Sequence, residues 1–352
     1  MLLPLEDKAD VLQWAYKQIF SLAELEPLLI NPEISKIQLD GYQNVSVRYG
    51  NANALDSLAP LYSNQADMLV AMRRIMHLYA IAESDEPFYE FGMTYQQRKL
   101  RITLILPPLV YRPAVDIRLH PFEPIDWQMW LEQGYLDQRT LTLIQAIARS
   151  QAGIALVGAA GSGKTSLLSL ILGDLSEVGL VQRAPEIAEK AGVRVALHVN
   201  PLEGIKSLKE AFLQLLEKEQ IHTIAVDELR ADELELLEAL LRSESEARQI
   251  CVFRGSSDAR RNMSALTMLA RRAYPAAPEA MVYQIYKRLP FIITMRRTQE
   301  GLLVSEIAEW QFHTDPQYAD YVSLLEWDGE AMQLTQHRPQ HPLDLDDDFW
   351  QA

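Results

Sequence analysis

The chain contains 352 residues, 48% of them hydrophobic, and carries a formal net charge of −15 at pH 7. The length suffices for two domains, and the hydrophobic content excludes an intrinsically disordered protein. Because nucleic-acid binding over a broad surface needs a basic footprint, the acidic balance argues against that function, and we expect no nucleic-acid partner.

The first residues and the apolar runs predict neither export nor a membrane span. Met1–Asp7 contains no basic region followed by an apolar core, so it does not predict a signal peptide. The best membrane candidate, Ile102–Val110, is too short and is interrupted by Pro107 and Pro108. The single cysteine, Cys251, lies in an apolar run and predicts a buried hydrophobic side chain in a reducing compartment. We therefore expect a cytoplasmic protein with at most peripheral membrane association.

Residues 1–122 have the pattern of a small α+β domain. Apolar residues alternate on either side of Asp40-Gly41, a dipeptide typical of tight turns, and this arrangement predicts a β-hairpin. In chain order we predict a helix over 8–29, the hairpin over 37–49, a helix over 67–81, and strands over 87–95 and 100–106.

The inter-domain linker and the end of the chain are predicted from composition. Pro121 and Pro124 discourage helix formation, and we expect the linker to cover 123–138. Residues 313–352 are interpreted as a carboxyl-terminal tail that is acidic and disordered at its end. The alternative for this tail is that Phe349 and Trp350 dock on a partner.

The strongest motif lies between an apolar run, Gly153–Val157, and a leucine-rich helical segment. It reads Gly158-Ala159-Ala160-Gly161-Ser162-Gly163-Lys164-Thr165 and fits the phosphate-loop pattern Gly-x-x-x-x-Gly-Lys-Thr. Its glycines let backbone N–H groups line an anion-binding concavity, and the following helix adds the partial positive charge of its N-terminus. We expect Gly158 through Ser166 to bind ATP, with Lys164 at the β- and γ-phosphates and the Thr165 hydroxyl on Mg²⁺.

A second motif supplies carboxylates. The apolar run Thr223–Val226 ends in Asp227 and Glu228. A strand beside the phosphate-loop strand would deliver both side chains next to Mg²⁺, one to hold a metal-bound water and the other to orient the attacking water. We assign Asp227 to the metal. The alternative is an ordinary acidic loop before a helix, where Asp and Glu are favoured in any case.

Strands and helices alternate through 139–312, which predicts βαβ units and a mostly parallel sheet. The fold class is therefore an α/β P-loop domain preceded by a small α+β domain. Strands are predicted over 153–157, 193–199, 221–226, 249–253, 291–295 and 302–308, and helices over 138–148, 166–172, 186–191, 208–219, 232–241, 263–273 and 279–288.

Four segments outside the phosphate loop carry a resemblance to a known family. They are Glu33–Gly41, the arginine and double proline of Arg101–Pro108, Ala114–Arg118, and Val226–Arg230. In order and spacing, from about residue 30 to 310, the sequence resembles the secretion traffic ATPases, which drive type II and type IV secretion and type IV and tight-adherence pili. The resemblance implies a RecA-like ATPase domain.

The resemblance also implies roles and partners. Glu228 matches the family's catalytic glutamate, and Lys164 the phosphate-loop lysine. Arg101 and Arg118 match arginines of the first domain that close over the phosphates, where a guanidinium neutralises the charge of the transferred phosphoryl group. The family works as homo-hexamers with platform proteins of the inner membrane, so a cytoplasmic protein peripheral to that membrane is implied.

Two departures from the family keep a second function open. The family's acidic box is replaced by Val181–Glu186, in which Glu186 is the only carboxylate, and Arg254 stands where the family has a histidine. The protein is therefore either a ring-forming motor ATPase, with slow turnover possible, or a catalytically degenerate nucleotide-binding paralogue that acts as a regulatory or scaffold subunit. A P-loop kinase or helicase is the weaker third alternative, because it gives no account of the arginine and double proline.

Overall fold

The computed structural model describes residues 23–50, 52, 54–79, 81, 87–122, 125–187, 192–199, 205, 207–256, 258–299, 301–314 and 317–351. The chain divides into two compact units, Met1–Glu123 and Pro124–Ala352. Most of the predicted helix over 8–29 lies outside the described residues, as does 188–191 of the predicted helix over 186–191. Within the described ranges, none of the helices combines the length and the hydrophobicity that a bilayer crossing requires.

The first unit is an antiparallel sheet with one long helix. The sheet has the strand order β3-β2-β1-β6-β5-β4, and the predicted hairpin is present as β1 and β2. The elements are α1 (Glu26–Leu29), β1 (Ile34–Asp40), β2 (Asn44–Tyr49), β3 (Asp56–Leu58), α2 (Gln65–Leu78), β4 (Phe88–Tyr95), β5 (Arg98–Ile105) and β6 (Ala114–Leu119).

Side chains of the first sheet alternate between a buried and a polar face. Ile37, Ile102 and Ile117 are fully buried and belong to one hydrophobic cluster that also includes Met68 and Met72 of α2. A one-sided apolar sheet is typical of antiparallel strands, and here α2 covers its apolar face.

The guanidinium of Arg98, the first residue of β5, is held by backbone carbonyl groups of separate segments. Its Nε donates to His120 O at 2.7 Å. Its terminal nitrogens donate to Leu29 O at 2.9 Å, to Asn31 O at 2.7 Å and to Ile34 O at 2.5 Å. Arg98 is 2% exposed, and burial lowers the pKa of its guanidinium to about 10, which leaves it charged at neutral pH. This side chain therefore joins β5 to the chain that precedes β1.

The second unit is built on a sheet of nine strands among the described residues, in the order β15-β14-β13-β12-β7-β11-β10-β8-β9. Strands β12, β7, β11, β10, β8 and β9 are parallel, and β13, β14 and β15 add an antiparallel extension. The strands are β7 (Ile154–Gly158), β8 (Val178–Gln182), β9 (Val193–His198), β10 (Thr223–Leu229), β11 (Arg248–Arg254), β12 (Phe291–Arg297), β13 (Leu302–Thr314), β14 (Gln317–Trp327) and β15 (Met332–Leu334).

Helices cover both faces of the parallel strands. On one face lie α3 (Trp127–Glu132), α4 (Gln138–Arg149) and α5 (Lys164–Gly173), and on the other α6 (Leu208–Leu216), α7 (Leu234–Arg242), α8 (Ala259–Ala273) and α9 (Pro278–Arg288). Alternate residues of β7 enter the two hydrophobic clusters, Ile154 and Leu156 on the α5 face, Ala155 and Val157 on the other. Burial on both faces explains the continuous apolar runs from which these strands were predicted. The predicted α/β fold is confirmed.

Residues 125–138 of the predicted linker over 123–138 lie within the second unit and contain helical structure. Asp126 caps α3, because its side chain accepts a hydrogen bond from Met129 N at 2.7 Å. Trp130 is 1% exposed and packs at right angles to the ring of Tyr135. Two large aromatic rings within a short polar segment bury enough apolar surface to fix it against the sheet.

The disorder predicted for the end of the chain is wrong for the residues described there. Strands β14 and β15 extend the sheet, and the residues beyond them lie against its hydrophobic cluster through Leu343, Leu345, Phe349 and Trp350. The acidic residues between these side chains are exposed. The prediction followed the overall acidic composition, whereas the apolar side chains recur at positions that face the protein.

A buried carboxylate fastens this final segment. Glu309 is 0% exposed, and one of its oxygens accepts from His341 N at 2.8 Å and His341 Nδ1 at 2.7 Å. Its other oxygen accepts from Gln340 N at 2.6 Å and Gln311 Nε2 at 3.1 Å. Four donors therefore converge on one carboxylate.

We expect Glu309→Gln to lower the free energy of unfolding by about 2 kcal/mol, because the new amide places N–H donors against two of the present donors. Thermal unfolding followed by circular dichroism measures this loss. The matched control is Glu306→Gln. Burial raises the pKa of the Glu306 carboxyl, and its partners are the hydroxyls of Tyr321 and Ser323, which can also accept.

The raised pKa of Glu306 determines how its contribution to stability changes with pH. The ionised form is disfavoured in the folded protein, so the contribution of Glu306 to stability is present at low pH and is lost as the pH rises through the folded pKa. Glu306→Gln is therefore expected to be neutral or stabilising at pH 8.

An equal melting temperature for wild type and Glu309→Gln would contradict the proposal that Glu309 holds the final segment in place.

Candidate nucleotide-binding site

The predicted phosphate loop joins β7 to α5 at the carboxyl edge of the parallel strands. Strand β7 ends at Gly158 and α5 begins at Lys164. Gly163 has a φ of 90°, and a Cβ at this position would lie 2.7 Å from Leu302 Cδ1. Only glycine fits both restrictions, and the free backbone N–H groups at the start of α5 are the donors that phosphate oxygens require.

Lys164 lies inside this loop and next to a carboxylate. Its Nζ donates to Ala159 O at 2.8 Å and lies 3.8 Å from Glu228 Oε1. The Lys164 side chain is 5% exposed and that of Glu228 is 12% exposed. The lysine of the first motif and the carboxylate of the second therefore lie next to each other at the phosphate loop.

The other pair that the two motifs supply is also in contact. The Thr165 hydroxyl donates to the Asp227 carboxylate, at 3.0 Å from Oδ1 and 3.2 Å from Oδ2. Hydroxyl and carboxylate oxygens are the ligands that Mg²⁺ prefers. The described residues contain no group of three or more His, Cys, Asp or Glu side chains that could hold a metal alone. These two residues therefore fit a magnesium ion that phosphate oxygens help to hold.

The remaining residues of the predicted loop differ in exposure. Ser162 is 0% exposed, and its hydroxyl has no hydrogen-bond partner among the described residues. Ala160 and Gly161 are exposed, whereas Ala159 and Ser166 are half-buried. The apex of the loop is therefore open, and its base is built into the protein.

The expected adjacency of the two strands is wrong. Strand β11 lies between the phosphate-loop strand β7 and the carboxylate strand β10. The motifs meet nevertheless, because Thr165 in the first turn of α5 reaches Asp227 across the end of β11. Strand order depends on pairing between distant segments, which motif spacing does not encode.

Strand β8 was missed by the sequence analysis and adds polar groups beside Asp227. Gln182 pairs in register with Asp227 and accepts hydrogen bonds from Glu186 N at 3.1 Å and Ile187 N at 3.2 Å. Arg183, the next residue, forms an ion pair with Glu233. The loops after β8 and β10 are therefore tied together at the edge of the site.

The turn between β12 and β13 was also missed and forms a wall of the loop. Arg297 Nε donates to Gly161 O at 2.9 Å, and Leu302 packs against Gly163. A single arginine at a strand end gives no sequence signal of such a contact.

Arg101 and Arg118 belong to the first unit and are adjacent there. They pair in register across β5 and β6, and Arg118 pairs in register with Lys36 on β1. Glu90 Oε1 lies 2.9 Å from Arg101 Nε and 2.5 Å from a terminal nitrogen of Arg101. Asp116 lies 2.6 Å from Lys36 Nζ. The three cations form a row on the polar face, and their predicted contact with phosphates stays a prediction.

Comparison with solved structures finds related folds at low sequence identity. The Legionella pneumophila ATPase DotB is similar with a TM-score of 0.53 and 15% identity over 88% of this chain and 80% of DotB. The pilus retraction motor PilT, solved with bound ADP, gives 0.54 and 15% over 87% of this chain and 83% of PilT. DotB of Yersinia pseudotuberculosis gives 0.54 and 17% over 83% and 80%. Neither the protein-family models nor the curated protein sequences give a match.

The chain shares the fold of the ATPase DotB and of the pilus retraction motor PilT. The predicted resemblance is confirmed at the level of structure, and the matches extend over most of both chains. Because a traffic-ATPase fold does not by itself fix an activity, the function has to follow from the residues of the site.

Proposed function

We propose that this protein is a traffic ATPase that binds ATP with Mg²⁺ at Gly158–Ser166 and hydrolyses it. The observation that carries the proposal is the convergence of Lys164 and Glu228 at 3.8 Å, beside the contact between Thr165 and Asp227. Two motifs about 60 residues apart in the sequence supply complementary halves of one phosphate-transfer site.

Each side chain has a distinct task in this proposal. The loop N–H groups bind phosphate oxygens, and Lys164 exchanges its bond to Ala159 O for the β- and γ-phosphates. Thr165 and Asp227 hold Mg²⁺, which neutralises charge on the phosphates when it is bound. Glu228 orients the attacking water and accepts its proton.

Hydrolysis in this proposal drives a homo-hexameric ring at the cytoplasmic side of the inner membrane, where platform proteins of a secretion or pilus system bind it. PilT, which has a similar fold, is a pilus retraction motor, and this supports motor function. Arg101 and Arg118 act on the phosphates of a bound nucleotide, for which Arg101 exchanges its contact with Glu90.

The degenerate paralogue remains the second candidate, because specific residues favour it. Arg183 is committed to Glu233 where the family has acidic residues, and Arg254 replaces a histidine. A protein that binds nucleotide but turns it over slowly could serve as a regulatory or scaffold subunit of the same machine.

Phosphate release by wild type and Glu228→Gln separates the two candidates. We expect wild type to release phosphate from ATP·Mg²⁺, and Glu228→Gln to bind ATP normally but release phosphate roughly 10²- to 10⁴-fold more slowly, because it lacks the base. Glu238→Gln is the matched control, at a half-buried carboxylate of α7 that pairs with Arg242, and keeps wild-type turnover. Equal background release in wild type and Glu228→Gln, with ATP binding intact, leaves only the scaffold function.

A further inference from the structure

Arg254 ends β11 at the carboxyl edge of the sheet, where the two halves of the site meet. Its strand lies between β7 and β10, and Arg254 pairs in register with Gly158, the first residue of the phosphate loop. Ligands of open α/β sheets bind at this edge. Arg254 is thus a cation placed between the phosphate loop and the strand that carries Asp227.

The side chain of Arg254 leaves the sheet on the same face as the site. Successive side chains of a strand alternate between faces. Val252 belongs to the hydrophobic cluster under α5, so Arg254, two residues later, lies on the α5 face. Ala225 belongs to the same cluster, which places Asp227 on that face too, in agreement with its contact to Thr165.

Among the described residues, Arg254 differs from Lys164, Arg183 and Arg297 at this edge in having no partner. Lys164 lies beside Glu228, Arg183 is paired with Glu233, and Arg297 donates to Gly161 O. Arg254 is exposed, and within the described ranges it takes part in no hydrogen bond, ion pair or ring contact. Its guanidinium is therefore available to a ligand without breaking a bond in the protein.

We propose that Arg254 contacts the terminal phosphate of bound ATP and makes the site prefer a triphosphate to a diphosphate. This inference rests on the proposed function. A guanidinium presents parallel N–H donors that match phosphate oxygens, and an arginine from the same chain can neutralise charge on the transferred phosphoryl group.

The excess of negative charge at the site favours an additional cation at the position of Arg254. Asp227 and Glu228 already place two carboxylates beside the loop, and ATP adds its own negative charges. Lys164 and Mg²⁺ together do not balance them. An additional cation at the end of β11 lowers the repulsion that the γ-phosphate meets there.

The test compares the affinities of ATP·Mg²⁺ and ADP·Mg²⁺ by calorimetry in wild type, Arg254→Ala and Arg254→Lys. We expect Arg254→Ala to weaken ATP binding roughly 10- to 100-fold and to leave ADP binding within about twofold, because only ATP carries the contacted phosphate. Arg254→Lys retains a point charge without the fork and restores part of the loss. Arg272→Ala removes the same charge from the exposed last turn of α8 and leaves both affinities unchanged.

Each other outcome rejects a defined part of the proposal. Equal losses for ATP and ADP, or unchanged affinities in an Arg254→Ala protein with the wild-type melting temperature, overturn the role of Arg254 while the proposed ATP site stands. A wild type that binds ADP as tightly as ATP also overturns it. Nucleotide binding that survives Lys164→Ala, or a wild type that binds neither nucleotide, rejects the proposed function itself and Arg254 with it.

Discussion

Lys164→Ala is expected to abolish measurable binding of ATP·Mg²⁺. The Lys164 side chain is 5% exposed, and its Nζ contacts the Ala159 carbonyl and lies next to the Glu228 carboxylate. A charge-assisted hydrogen bond to phosphate contributes about 3 kcal/mol at most, so its loss alone weakens binding roughly 100-fold.

The variant has a second effect that acts in the same direction. Without Lys164, the carboxylates of Glu228 and Asp227 face the phosphates without the lysine charge that now offsets them, and their repulsion with ATP rises in a partly buried site. We therefore expect the loss to exceed the value for a single contact. Titration with a fluorescent ATP analogue, with and without Mg²⁺, measures it.

Lys209→Ala is the matched control for this experiment. Lys209 lies on α6, its side chain is 39% exposed, and its ion pair with Glu235 is at the surface. Removing it changes the net charge equally and leaves nucleotide affinity unchanged. ATP affinity retained in Lys164→Ala would place the nucleotide elsewhere and end the proposal for this loop.

The local parts of the site could be predicted from the sequence because their geometry is encoded within a few residues. Gly158, Gly163 and Lys164 define the phosphate loop by their spacing alone. Asp227 could be assigned because a buried apolar run ends there. Both assignments depend on the strand and helix directly next to the residue.

The missing parts depend on contacts between distant segments. The position of β11 between β7 and β10 is fixed by pairing in the whole sheet. The location of Arg254 between the two motifs can therefore be recognised only when the strand order is known. Strand β8 has the length and the fully buried pattern of β7, but no motif such as the phosphate loop follows it to mark its end. Gln182, at its end, gained significance only through its register with Asp227.

The end of the chain was mispredicted for a different reason. Asp344 and Asp346–Asp348 dominate the composition of that segment, whereas its packing depends on Leu343, Leu345 and Phe349. Few apolar residues suffice when the body of the protein provides the rest of the cluster and a buried acceptor such as Glu309. The composition of the segment as a whole therefore does not reveal that its few apolar residues pack against the protein.

Arg98→Leu is expected to destabilise the first unit by about 3–5 kcal/mol. The leucine leaves four backbone carbonyls without the donor they have now, those of Leu29, Asn31, Ile34 and His120. Each buried acceptor left unpaired costs about 1–3 kcal/mol, and the stability of a domain is only about 5–15 kcal/mol. The site in the second unit contains none of these groups.

Hydrogen exchange followed by mass spectrometry measures the effect in each unit separately. In Arg98→Leu we expect faster exchange in peptides from β1 and β5, while peptides from β7 and β10 exchange as in wild type. Arg98→Lys retains a charge but cannot reach acceptors on several sides, and it is expected to recover only a small part of the loss. Arg112→Leu, at an exposed arginine of the same unit, is the matched control. Wild-type protection of β1 and β5 in Arg98→Leu would mean that these carbonyls find other donors, and that the guanidinium does not hold the segment before β1 in place.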